Sequence, residues 1–223
     1  MKKLLIASFA ATALASTAQA QGDTYDWTGF YLGLQAGYGD SSARFDASNT
    51  SFAGNYHDNA FVGGVFAGFD WQNGPIVYGV LADFDWVQGD DVGFGNVDPL
   101  TGGKGEAYTY DVDWIATARA RLGYAATDRL LVFATGGVAA GQFQATSYNY
   151  PFFGSPASAA FSGVKWGGVG GLGIDYALAG NLSIKGEYLH YRFDRIDFDS
   201  GGLADARFSP KLDAMKLGIA LRF

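Results

Sequence analysis

The 223-residue chain has no cysteine and only two histidines. Without thiols, an exported chain can hold no disulfide scaffold, no Cys-ligated metal and no cysteine nucleophile. Its stability must come from the fold itself. Long apolar runs are scarce as well: beyond the first segment, none approaches the ~20 residues that carry a helix across a bilayer. An excess of positive charge is also lacking. The formal net charge is −7, and an acidic chain argues against nucleic acid as a partner.

What the chain does contain begins with "MKKLLIASFAATALASTAQA". Two lysines, an apolar stretch from Leu4 to Leu14 and the small-residue end Ala18-Gln19-Ala20 form the pattern of a secretory signal. The expected organisation is a signal peptide over 1–20 and one domain over 21–223. Cleavage removes Lys2 and Lys3 and takes the charge from −7 to −9. Nearly half of the residues are hydrophobic and 16% are aromatic, spread through short alternating stretches rather than runs.

The last stretch, "MKLGIALRF", sets Met215, Leu217, Ile219, Leu221 and Phe223 against Lys216, Gly218, Ala220 and Arg222. A period of two reads as a strand, and a strand that stops in mid-pattern needs partners on both sides or becomes an exposed edge. Seven further stretches alternate in the same way, starting near Trp27, Ile76, Leu182 and points between. The stretch from Arg129 is apolar in both phases, which leaves its facing open. Tight turns at 72–75, 125–128 and 178–181 alternate with long polar connections at roughly 40–58, 88–107, 142–162 and 194–210. In an antiparallel meander this puts every long connection at one end, the asymmetry of transmembrane barrels with short periplasmic turns and long extracellular loops.

One face of the stretches carries Trp71, Trp86, Trp114 and Trp166 among many Tyr and Phe. A barrel of eight strands has room inside for little beyond its own side chains, so these rings are expected to face lipid as an aromatic girdle. The fold expected is all-β: an eight-stranded antiparallel transmembrane up-and-down β-barrel.

The segments "DWTGFYLGLQAGYG", "WIATARARLGY" and "LGIALRF" resemble the small eight-stranded outer-membrane barrels of Gram-negative bacteria. These are the alphaproteobacterial major outer-membrane and opacity-type proteins, often called porin-like. The resemblance covers essentially all of residues 21–223. It implies that the terminal strand, with Leu217, Ile219, Leu221 and Phe223, is an assembly signal and that it pairs with the first strand to close the sheet. It also implies a place in the outer membrane. The partners would be outer-membrane lipid and lipopolysaccharide, periplasmic chaperones and the outer-membrane assembly machinery.

Opposite the aromatics, the alternation places Asp83, Asp85, Asp111, Asp113, Asp175 and Glu187 in the lumen with Arg119, Arg121, Lys165, Lys185, Lys216 and Arg222. Charges cut off from water must pair, and the two sets balance. The expected arrangement is a salt-bridge plug; an ion-selective pore would favour one sign and more strands.

Other motifs are weaker. Gly168-x-Gly170-x-x-Gly173 lies inside a strand with no helix after it, so it lacks the context of a dinucleotide site. Asp197, Asp199, Gly202 and Asp205 match part of a calcium loop, but Phe208 stands where the closing Glu belongs. His190 and Ser183 fall on opposite faces, which separates a base from its nucleophile. His57 lies in the first long connection. The aromatic segment "SYNYPFFG" (147–154) is a candidate exposed patch. The function expected is a structural, non-enzymatic surface protein with no cofactor and no metal. A narrow channel for small solutes and loop-mediated ligand capture or adhesion are the alternatives.

Overall fold

The alternation becomes a closed sheet in the computed structural model, which describes residues 25–47, 55–89, 92–95, 105–150, 157–194, 196–198 and 206–223. Eight long strands run in order: β1 Gly29–Ala47, β2 Asn55–Asn73, β3 Ile76–Gly89, β5 Gly105–Ala125, β6 Leu130–Tyr150, β7 Ala157–Ala179, β8 Leu182–Phe193 and β10 Ala206–Arg222. Two short strands, β4 Val92–Gly95 and β9 Ile196–Phe198, pair with β5 and β10. Each long strand pairs antiparallel with its neighbour, and β10 returns to β1 with Leu221 opposite Leu32 and Lys216 opposite Gly37. Closure leaves no unpaired edge among the long strands.

The turn end is tight. Gly74 and Gly180 take positive φ of 59° and 47°, the left-handed conformation that short hairpin turns require and that glycine adopts without steric cost. At the other end the strands run on. β6 has 21 residues and β7 has 23, where about 9–11 suffice to cross a bilayer. Much of what the sequence presents as long polar connections is therefore strand extended past the membrane. Polar composition hid this, because strand pairing above a bilayer needs no apolar face.

Following the cross-strand partners from Trp71 gives Tyr78, Leu122, Ala134, Leu172, Tyr188, Met215, Tyr38 and then Phe61. The path re-enters β2 ten residues from where it left. With about 3.3 Å per residue and about 4.8 Å between strands, that shift tilts the strands by roughly 40° and sets a backbone radius of roughly 8 Å. Phe61 thus stands about 25 Å above Trp71 along the barrel axis, the height of a lipid-facing band.

Two outward belts mark that height. Phe30, Trp71, Tyr78, Tyr124, Tyr176 and Phe223 ring the turn end, all exposed. Tyr38, Phe61, Trp86 and Trp166 are exposed toward the loop end, and Trp114 stacks on Phe84 with centroids 5.6 Å apart. Between the belts the outward residues are apolar, among them Leu34, Val80, Leu122, Leu172, Met215 and Leu217. The facing of β6, open in the sequence, is set by the register: Leu131, Phe133, Ala139 and Phe143 are buried inside, while Val132 and Val138 are exposed.

The strand β5 carries an irregularity. Val112 faces Phe143 and Trp114 faces Gln142, so Asp113 is an extra residue, a β-bulge. One extra residue inverts the alternation above it. Val112 packs against the buried lumen cluster, and Asp113 accepts a hydrogen bond at 2.8 Å from Gln144 Nε2 at an exposed site. Asp111 takes the phase of its partner Gln144. Unbroken alternation assigns Asp111 and Asp113 to the lumen; the bulge corrects both assignments.

Candidate functional site

Among the described residues, charged side chains are packed away from water in the barrel interior, between apolar clusters. At the turn end Trp27, Val77, Leu131, Phe133 and Ala177 form a buried apolar cluster, with Tyr25 packed against it. The segment before β1 is tied there by the Tyr25 N–H, which donates to the Asp128 carbonyl at 2.8 Å. Tyr31, Phe66, Leu81 and Ala220 form a second apolar layer. At the loop end Ile115, Ala139, Phe143, Val169, Leu189, Tyr191, Phe193, Leu212 and Ala214 make a third.

Ion pairs fill the space between the end clusters in two groups, which adjoin beside the second cluster where buried Asp175 and Lys185 stand directly opposite each other on β7 and β8. In the lower one Arg121 reaches Asp70 at 2.7 Å and Asp175 at 3.4 Å, and Arg222 reaches Asp70 at 2.9 Å. The guanidinium of Arg121 also lies over the Phe133 ring at 4.7 Å, and that of Arg222 lies over Tyr31 at 4.8 Å, a cation–π arrangement that suits weakly hydrated guanidinium groups. Arg222 further donates to the Trp27 carbonyl, which joins β10 to the turn-end layer.

The upper group holds three acids and three bases. Arg119 bridges Asp83 at 2.5 Å and Glu187 at 3.2 Å. Lys185 pairs with Glu187 at 2.8 Å and sits over the Phe66 ring at 3.6 Å. Lys216 pairs with Asp85 and lies 3.5 Å from Asp83. Gln35 donates to Asp85 at 2.8 Å and accepts from Lys185 at 3.4 Å, and Thr117 donates to Asp83 at 2.5 Å. All of these ions have side-chain exposures of 7% or less.

Asp70, Asp83, Asp85, Asp175 and Glu187 thus meet Arg119, Arg121, Lys185, Lys216 and Arg222 in equal number. A buried charge without its partner carries a penalty of several kcal/mol, so the balance is a condition of folding. Chemically, the arrangement can hold strands together and fill space.

The profile of the outer membrane protein beta-barrel domain family matches residues 7–223. The chain belongs to this family. Its relatives include the 31 kDa outer-membrane immunogenic protein of Brucella melitensis biotype 1, 38% identical over 216 residues that cover 85% of this chain and 86% of that protein. The 22 kDa outer membrane protein of Rhizobium leguminosarum bv. viciae is 30% identical over 199 residues, covering 88% and 78% of the two chains. Among solved structures, the outer membrane protein OprG from Pseudomonas aeruginosa aligns with a TM-score of 0.45 at 14% identity, covering 90% of this chain and 99% of that one. By its family and the two named relatives the chain is an outer-membrane protein.

Within that frame, the remaining residues singled out in the sequence fall as follows. Lys165 is in the inward phase of β7, half-buried and opposite Gly141, toward the loop end and above the two ion-pair layers. Trp71 stands in the turn-end belt, while Trp86, Trp114 and Trp166 stand in the loop-end belt. Leu217, Leu221 and Phe223 are exposed on the outer wall. His190 points outward and Ser183 is buried inside. Ser147–Tyr150 of the aromatic segment lie in β6; residues 151–154, together with Asp199, Gly202 and Asp205, lie outside the described residues.

Asp70 is the central residue that the sequence reading missed. It sits in the phase opposite Trp71 and in line with Phe66 and Gly68, so the alternation of β2 already placed it inside.

Proposed function

We propose that the protein is a structural, non-conducting barrel of the outer membrane that holds the bilayer and carries strand-built extensions above it. The observation that carries this reading is the layered lumen: three apolar clusters enclose two electrically neutral ion-pair layers within a backbone radius of roughly 8 Å. A hydrated ion crossing it would have to break buried pairs and pass the apolar clusters at the two ends. The resemblance of the sequence to porin-like barrels makes a narrow channel the natural alternative. Against it stand the apolar clusters at the two ends and the pairing of all ten buried ions between them.

The role is non-enzymatic in this reading, since His190 and Ser183 stand on opposite sides of the wall. Residues 1–20 act as the signal peptide. The outward row Leu217, Ile219, Leu221 and Phe223 is read by the assembly machinery after delivery by periplasmic chaperones.

Vesicle swelling tests this directly. Vesicles containing the folded protein, diluted into an isotonic solution of a small sugar, are expected to swell no faster than protein-free vesicles. Swelling that scales with protein content and falls with sugar size would establish the channel instead. A second reading, loop-mediated capture of a surface ligand, is favoured by the length of β6 and β7, which carry paired strand well past the bilayer.

A further inference from the structure

The loop-end aromatic belt is interrupted. At that height β1, β2, β3, β5 and β7 present Tyr38, Phe61, Trp86, Trp114 and Trp166, with the small Ala140 of β6 opposite Trp166. On β8 and β10 the outward positions are instead His190, Arg192, Lys211 and Asp213. Asp213 Oδ1 accepts from Tyr188 Oη at 2.6 Å and lies 2.8 Å from His190 Nδ1, so this carboxylate is already engaged. Arg192 and Lys211 are both exposed and stand directly opposite each other in the register. Neither closes an ion pair within 4 Å among the described residues, although Lys211 lies near enough to Asp213 to act on its carboxylate and Asp194 follows Arg192 on the same face. Like charges directly opposite on a sheet destabilise it, unless an anion lies between them.

A second observation adjoins the first. Two cross-strand ladders lead to this gap: Ala118, Val138, Gly168, Arg192 and Ala120, Gly136, Gly170, His190. Glycines of the inner face are dictated by packing: a Cβ on Gly64, Gly137 or Gly171 would come within 2.0–2.1 Å of a neighbouring carbonyl oxygen. The outward ones are not. A Cβ on Gly168 would meet nothing within 4 Å, and on Gly136 and Gly170 the nearest atoms would be 3.7 and 3.8 Å away. The wall is therefore bare where side chains would fit, in a shallow trough that runs up through the membrane band to the two cations.

We propose that the outer wall over β6, β7, β8 and β10 seats a phosphorylated glycolipid of the outer leaflet. Its phosphate is shared between Arg192 and Lys211, and one acyl chain lies along Gly136, Gly170 and Gly168. A guanidinium fork and an ammonium are the donors that bind phosphate most strongly, and they stand at headgroup height above an acyl-sized groove. The inference uses from the proposed function only that this wall faces lipid; it is independent of whether the lumen conducts.

The test is lipid retention. The protein is refolded into phosphatidylcholine vesicles doped with bisphosphorylated lipid A or with the same lipid stripped of phosphate, then extracted in mild detergent and weighed with its bound lipid by native mass spectrometry. The native protein should retain the phosphorylated form and not the stripped one. The double variant Arg192→Gln, Lys211→Gln should retain roughly tenfold less or lower still. Gly168→Leu, which keeps both charges and places a side chain in open space, should also lose the lipid. Arg129→Gln, at the exposed turn end, should not.

Equal retention by the native protein and the double variant would overturn the proposal, as would equal retention of the stripped lipid. Full displacement by inorganic phosphate would show a site for soluble anions, and a lipid-free dimer abolished by the double variant would show a contact between copies; either outcome overturns it. Heat-modifiable gel mobility verifies that each variant is folded, and Gly168→Leu carries the test if the double variant is not.

Discussion

Asp83 shows at the scale of a single residue how the lumen is held. Its carboxylate receives Arg119 at 2.5 Å, Lys216 at 3.5 Å and the Thr117 hydroxyl at 2.5 Å, so three strands meet on one side chain. Asp83→Asn leaves the upper layer with one positive charge in excess, and the expected loss of stability is about 3–5 kcal/mol. Adding Lys216→Gln restores neutrality, and the double variant should recover part of that loss rather than double it. Denaturant unfolding of the refolded barrel, followed by gel mobility, measures both; simple additivity would show that the two side chains are not coupled. The five acids and five bases of the ion-pair layers sit in alternating phases that the sequence makes visible, Asp70 included. What alternation could not reveal is which acid meets which base, because the ten-residue shift of the closed sheet decides that. The engagement of rings such as Phe66 and Phe133 by Lys185 and Arg121 was hidden for the same reason.

At the scale of the strand, β5 shows where pattern reading stops. Its lower half alternates without fault from Trp114 to Leu122, and Arg119 and Arg121 lie inside as the spacing requires. Above it, Asp111 and Asp113 look equally regular, yet Asp113 is the bulge. A single extra residue leaves little trace in composition, since Val112 and Asp111 merely exchange faces. The registers on either side are continuous without it: Val112 faces Phe143 and Trp114 faces the adjacent Gln142. Deleting Asp113 should therefore be tolerated, giving a folded, heat-modifiable barrel. Deleting Thr117, in the middle of regular pairing, would turn the strand above it inside out and should abolish folding. Equal effects of the two deletions on the folded fraction would contradict the bulge. The opposite case is β6, apolar in both phases and unreadable from its own residues; only its neighbours' registers settle which face is buried.

For the whole molecule, the alternation of short turns with long connections was enough to read an eight-stranded closed barrel, and the register confirms closure through β1 and β10. The extension of strands beyond the bilayer was not readable, because polar strands and polar loops share a composition. Neither was the proposed sealing of the lumen, which rests on Trp27 and Phe143 lying in clusters at opposite ends of one tilted sheet with paired ions between them. That sealing is the central claim, and single-channel recording tests it most directly. Folded native protein in a planar lipid bilayer is expected to give no current steps at either polarity. Arg121→Ala, which removes the guanidinium joining Asp70 to Asp175 over the Phe133 ring, is expected to give brief, infrequent ones. Reproducible steps from the native protein, altered in size or selectivity by Arg121→Ala, would mean that the charged interior is wet and conducting, and the account of a closed structural barrel would be wrong.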